Sequence, residues 1–186
     1  MAARLKERYQ KTIQDEMRTE FNHANIMEVP HLQKIVINMG VGDSQAEPRL
    51  LEAAMTELSQ ITGQKPIIRK ARKSIASFKV REGAKIACMV TLRGGRMYEF
   101  MDRLFNVVIP RVRDFRGISP SSFDKAGNYT LGLREQSIFP ELNIDTIAKV
   151  RGMNVTFVFG GSGSPDENRE LLRKFGMPFR TTEKQS

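Results

Sequence analysis

An α+β fold is predicted for this chain, with helices packed on one face of a mostly antiparallel sheet as a two-layer sandwich, and three observations predict it. Apolar residues recur at helical spacing in several separate stretches, from Leu5 through Phe21 and from Leu50 through Ile61 among them. Short apolar runs of strand character fall between those stretches, as at Ile35-Val36-Ile37 and Val155-Thr156-Phe157. Glycines, prolines and capping residues punctuate the boundaries.

In order, Tyr9, Ile13, Met17 and Phe21 recur every four residues, with Leu5 one turn earlier, so 4–21 is predicted as an amphipathic helix. Leu32 to Val41 reads as a buried strand closed by Gly40 and Gly42. Ser44-Gln45-Ala46-Glu47 has the spacing of a capping box, with the serine accepting from the Glu47 amide. Leu50, Leu51, Ala54, Met55, Leu58 and Ile61 would form the apolar face of the helix it opens, and Gly63 its left-handed stop. Pro66, Ile67 and Ile68 begin a strand, Lys85 to Arg93 returns as another, and Arg72 to Ala84 between them reads as a long exposed hairpin loop. Gly94-Gly95 turns the chain into a helix with Met97, Met101, Leu104, Phe105 and Val108 inward, ending before Pro110. Asn128 to Arg134 and Met153 to Phe159 are further strands, the second nearly continuous in apolar residues. Ser164-Pro165-Asp166-Glu167 marks the last helix start, with a capping serine, proline at the first position and acids in the first turn; Gly176 and Pro178 end that helix after Phe175.

The 186 residues fit one domain, 1–186, with the basic hairpin loop near 72–84 projecting from it. A chain of this size buries roughly 70% of its unfolded surface and needs neither disulfide nor metal to hold a core. The single cysteine, Cys88, excludes an intramolecular disulfide and suits a reducing compartment. No apolar stretch is long enough to cross a bilayer, and Met1 to Gln10 lacks the apolar core of a signal peptide, so a cytoplasmic protein without a membrane partner is expected. The net charge is +9, and it is regional. From Gln64 to Lys85 there are eight basic residues (Lys65, Arg69, Lys70, Arg72, Lys73, Lys79, Arg81 and Lys85) against the single acid Glu82. From Glu141 to Ser186 the seven basic and six acidic residues nearly cancel. Charge concentrated in this way repels itself without a partner, and points to a nucleic acid rather than to lysines spread for solubility.

The chemistry-bearing residue types exclude most catalytic classes. Two histidines, His23 and His31, and one distant cysteine do not make a metal site, and Cys88 sits mid-strand where it packs as a small hydrophobe. Neither histidine lies near a glycine-framed serine, and no phosphate loop of the Walker type is present. The acids fall mainly in helix first turns or on solvent faces. No cofactor is called for and no enzyme is expected. Of two glycine turns before helices, Gly94-Gly95, flanked by Arg93 and Arg96, fits a phosphate cradle and a plain turn equally; Gly160-Gly161-Ser162-Gly163, followed by Asp166 and Glu167, reads as a flexible loop. Phe78 in the basic loop either stacks on a base or forms the hairpin's own core. Asn38, Gln64 and Thr91 are neutral hydrogen-bonding residues near strand ends, suited to RNA sugar or base edges; each, taken alone, also fits a turn or a satisfied core position. An RNA-modifying enzyme using the basic segment for substrate capture would need a nucleotide or methyl-donor pocket, and neither glycine turn has the dinucleotide-binding pattern.

Several segments resemble a known family. Lys34-Ile35-Val36-Ile37-Asn38-Met39-Gly40-Val41-Gly42 resembles the first strand of bacterial large-subunit ribosomal protein five. Ile61-Thr62-Gly63-Gln64-Lys65-Pro66 followed by Lys70-Ala71-Arg72-Lys73-Ser74-Ile75-Ala76 is similar to its signature stretch. The likeness continues through Val90 to Gly94, Phe115 to Ile118 and Gly132 to Glu141, and so covers almost the whole chain. Arg69 departs from it, standing where the family usually carries a small hydroxyl residue, and leaves the local strand register open. The resemblance implies a ribosomal, ribonucleoprotein component acting in translation. It would bind 5S rRNA beside 23S rRNA in the central protuberance, with Asn38, Gln64, Thr91 and Arg93 facing the 5S RNA; the charge of the basic segment adds Lys65, Arg69, Lys70, Arg72 and Lys73 as expected rRNA phosphate contacts, Arg69 at the point of departure. It implies that the loop with Ser74, Ser77, Phe78, Lys79 and Arg81 approaches peptidyl-site tRNA. It also implies that the region from Arg111 to Phe139, with Arg111, Arg113, Phe115 and Arg116, bridges to a small-subunit head protein among its ribosomal protein partners.

Overall fold

In the computed structural model, which describes residues 3–161 and 163–180, five strands form one sheet in the order β2-β3-β1-β5-β4. They are β1 (His31–Gly40), β2 (Ile67–Lys70), β3 (Lys85–Leu92), β4 (Tyr129–Leu133) and β5 (Met153–Gly160). The sheet is of the antiparallel class and open, and with its helices the fold is α+β as the sequence predicts. The helices are α1 (Arg4–Arg8), α2 (Gln14–Glu20), α3 (Pro48–Thr62), α4 (Gly94–Arg103) and α5 (Pro165–Lys174). A π-helical turn, Tyr9–Ile13, joins α1 to α2 without leaving helical backbone angles, so 4–20 is one helix, with Phe21, the last residue predicted, at its cap. α4 likewise continues through a π-helical turn, Leu104–Val108, into a 3-10 turn, Ile109–Arg111, which admits Pro110 at its start.

Contacts divide the chain into two compact units. The first holds the described residues of Met1–Ile35, Leu92–Leu131 and Thr156–Ser186. In it the helix 4–20 buries Leu5, Tyr9, Ile13 and Met17, as its spacing requires. It is fastened to α5 by Lys174, whose ammonium lies 3.1 Å from Glu16 and 3.0 Å from Glu20, and by the Tyr9 ring stacked on Phe175 at 5.8 Å. Ser164 caps α5 as predicted, its hydroxyl accepting the Glu167 amide at 3.3 Å. Gly176 follows the helix at φ +101°, where a side chain would be strained. Ser162 of the preceding glycine loop lies outside the described residues.

The second unit comprises Val36–Thr91 and Gly132–Val155. Its core gathers Ile37 and Met39 of β1, Cys88 and Val90 of β3, and Leu51, Ala54, Leu58 and Ile61 of α3, each nearly or fully buried. α3 ends on Gly63 at φ +65°, the predicted left-handed stop. Its start differs from the prediction. The helix begins at Pro48, with Glu47 at the cap and no side-chain capping bond. Ser44 is buried and donates to the Lys85 carbonyl, and the Glu47 amide goes to the Asp43 carbonyl at 3.0 Å. The capping box is therefore replaced by a 3-10 turn, Gly42–Gln45, because Pro48 already satisfies the first helical position without an amide to cap.

One buried polar cluster ties this unit together. The Gln136 side chain, fully inaccessible, donates to Glu57 of α3 at 3.2 Å and to the Lys149 carbonyl at 2.7 Å, and accepts the Arg151 amide at 2.5 Å. Burial pushes the Glu57 carboxyl up, against the pull of the Gln136 hydrogen bond and the Arg151 charge. Replacing Gln136 with leucine strands three hydrogen-bond partners, two of them in buried bonds, which should cost on the order of 2–4 kcal/mol in urea unfolding. A loss under about 1 kcal/mol would mean that water supplies those bonds instead.

Cys88 is fully buried, and burial pushes its thiol up to about 11. The neutral, protonated thiol is the folded form, so the stability it contributes is complete below the unfolded pKa near 8.5 and is lost as pH rises toward about 11. The native chain should resist a thiol-specific chromogenic reagent at mildly alkaline pH and react when unfolded. Rapid native labelling would contradict this burial.

Candidate nucleic-acid interface

The period of two along β1 and β3 builds an interface on one side of the sheet. Ile37, Met39, Cys88 and Val90 turn to the core, and the alternate positions Val36, Asn38, Met89 and Thr91 stay half-buried on the other side. The Val41 amide bonds to the Ile86 carbonyl at 2.8 Å, which sets the neighbouring register of the two strands. β2 pairs antiparallel with β3, Ile67 opposite Met89 and Arg69 opposite Ala87, and brings Ile67 and Arg69 to the same side, both exposed. The register shifts between Arg69 and Lys70, where the sequence leaves it open.

Gln64 and Thr91 come together: the Gln64 side-chain amide donates to the Thr91 carbonyl at 3.3 Å, just beyond the α3 stop. Thr62, buried, holds the same turn by accepting the Gln64 amide at 3.4 Å. Asn38 has no side-chain hydrogen bond among the described residues and remains free to pair outward. Asn154 of β5, exposed between buried Met153 and Val155, is a further outward amide of this unit. Its signal in the sequence is the polar alternation of Asn154 and Thr156, which the nearly continuous apolar run from Met153 to Phe159 obscures.

Lys65, Arg69, Lys70, Arg72 and Lys73 are all exposed. Among the described residues, none of the eight basic side chains between Gln64 and Lys85 has a carboxylate partner. Elsewhere ion pairs are frequent, as at Lys149 with Asp43 and Arg4 with Asp102. The unpaired cations are hydrated and ready for an external anion.

Beyond Lys70 the chain forms a hairpin loop with its own small ladder. The Ala71 amide bonds to Ala84 at 2.8 Å and the Gly83 amide to Ala71 at 2.9 Å. Ile75 and Val80 form an isolated antiparallel bridge around a 3-10 turn, Ala76–Phe78, and the Ser74 hydroxyl accepts the Glu82 amide at 2.9 Å. Ser74, Ser77, Lys79 and Arg81 are exposed, and Lys79 closes the turn at φ +53°. Phe78 is 75% exposed, so it is not the hairpin's own core: the loop is too thin to cover a ring, and the ring points to solvent.

In the other unit, Arg93 is exposed at the cap of α4, and Arg111, Arg113, Phe115 and Arg116 are exposed around the end of the helical segment that follows. Asp114 between them sits at φ +52°, in a turn on which the arginines stay exposed. Among the described residues no three histidine, cysteine or acidic side chains converge as metal ligands, and no helix is long and apolar enough to cross a membrane.

The comparisons with known proteins accord with this surface. Residues 25–81 match the family model described as ribosomal protein L5, and residues 85–179 match that of the ribosomal L5P family C-terminus. The large ribosomal subunit protein uL5 of Moorella thermoacetica is 58% identical over 178 residues, covering 96% of this chain and 98% of that one. Its namesake from an Anaeromyxobacter species is 56% identical over 180 residues, covering 97% and 99%. That from Trichlorobacter lovleyi is 56% identical over 178 residues, covering 96% and 99%. Unpaired cations, a sheet face of mixed polar and apolar residues and full-length identity above one half converge: the chain belongs to the ribosomal L5 family, a structural and non-enzymatic constituent of the large subunit of the cytoplasmic ribosome.

Proposed function

We propose that this chain lodges 5S ribosomal RNA in the central protuberance, beside 23S ribosomal RNA, using the open face of β1, β3 and β2. The observation that supports the reading is the run of eight cations without a carboxylate partner among the described residues, beside the sheet face that carries Asn38 and Thr91. Lys65, Arg69, Lys70, Arg72 and Lys73 supply salt-dependent attraction to phosphate. Asn38, Gln64 and Thr91, with Arg93, set register on sugar and base edges. The loop with Ser74, Ser77, Phe78, Lys79 and Arg81 reaches peptidyl-site tRNA; its exposed ring is free to stack and its cations meet the backbone. Arg111, Arg113, Phe115 and Arg116 offer a mixed basic and aromatic patch to a head protein of the small subunit.

Replacing Arg72 and Lys73 with alanine should weaken binding to every RNA and flatten the dependence of log affinity on log salt by about 1–2. An unchanged slope removes both from the phosphate contacts. Asn38→Ala or Thr91→Val should instead lower the preference for 5S RNA over other structured RNA by roughly tenfold, about 1.4 kcal/mol. Equal losses on all RNAs would deny these residues a recognition role.

A further inference from the structure

We infer that the free edge of β2 is a docking site for an extended acidic protein segment, which adds a further strand to the sheet and drops apolar side chains into a groove beside α3. The inference does not rest on the RNA reading above. It concerns the rim of the sheet and its α3 side, and every residue it uses belongs to the second compact unit. β2 ends the strand order and pairs only with β3. Along its outer side no backbone group has a strand partner among the described residues, and such an edge is a template for another chain.

Apolar surface flanks this edge on both sides. Ile68 lies opposite fully buried Cys88, so it turns to the α3 side, where it is only half-buried. There it lines a groove of about 430 Å³ together with Ala84 and with Leu51 and Met55 of α3. Ile67, opposite Met89, turns to the other side and is 62% exposed. A strand laid along β2 alternates in the same way, its inward side chains filling the groove and its outward ones covering Ile67. Phosphate contacts use neither an apolar groove nor an exposed isoleucine. Charge selects the occupant. Arg69 and Lys70 stand on the strand, and Lys85 lines the groove opposite Lys70; none has a carboxylate partner among the described residues, although Glu52 of α3 also lines the groove. A second copy of this chain would set these cations against themselves, which disfavours pairing. A segment alternating acidic and apolar residues satisfies the cations and the groove together.

The test titrates the full chain with a fluorescent heptapeptide alternating glutamate and valine, and maps the contact by amide chemical shifts. Saturable binding is expected, with shifts at Ile67 to Lys70 and at Leu51 and Met55. The same peptide N-methylated at alternate amides keeps its charge but loses main-chain bonds, and should bind about tenfold more weakly or worse. A peptide with lysine in place of glutamate should not bind. Met55→Glu, in the groove, and Lys85→Gln, exposed and without consequence for the core, should each weaken the peptide, while Met55→Glu binds 5S ribosomal RNA as the native chain does. Absence of saturable binding, equal binding of the N-methylated or the lysine peptide, or indifference to both substitutions overturns the inference. An oligouridylate of equal charge that shifts Leu51 and Met55 as the peptide does would assign the groove to RNA and overturn it as well. Loss of 5S RNA binding in Arg72→Ala/Lys73→Ala bears on the proposed function alone, so the two readings fail separately.

Discussion

The two-residue period of β3 is the constraint on which the rest of the molecule depends. It lies between β2 and β1, so its register sets both neighbours. With Cys88, Val90 and Leu92 turned inward, Met89 and Thr91 must face the other way. A slip of one residue would bury the threonine and expose the cysteine, and the polar face would vanish with the core. Pairing with β2 then carries Arg69 to the same side and launches the loop, while the Gln64 bond to the Thr91 carbonyl fixes the turn after α3 against the same strand.

Charge is handled in two ways. In the helical unit, acids and bases are matched in pairs such as Arg4 with Asp102 and Lys174 with Glu16 and Glu20, which orient the helices. Such exposed pairs each contribute little, so their value is mainly geometric. Between Gln64 and Lys85 the cations stay unmatched on a strand edge and a thin hairpin. Their mutual repulsion is tolerated because water screens it, and the backbone ladder from Ala71 to Ala84 holds the loop without help from side-chain pairing.

What was legible in the sequence was local. The Ser164-Pro165 start of α5, the Gly63 stop of α3 and the alternation in Lys85 to Leu92 depend on residues within one turn of each other, and they form as expected. The regional charge was legible too, since lysine and arginine almost never hide unpaired. The apparent capping box failed because Ser44 reaches a carbonyl 41 residues away, which no local pattern encodes. The same holds for Gln136, whose partners lie 79, 13 and 15 residues distant along the chain. Phe78 could be read either way until the thinness of the loop left its ring uncovered.

In the function proposed, the edge formed by Gln64 to Lys73 meets 5S ribosomal RNA and the loop beyond it reaches tRNA instead. Photochemical crosslinking of the whole chain to ribosomal RNA, with both ends of each link mapped, tests this most directly. Links are expected from 64–73 and from β1 and β3 to 5S RNA, and none to that RNA from the ring of Phe78. Links to 5S RNA confined to the loop tip, or to residues outside this face altogether, would contradict it.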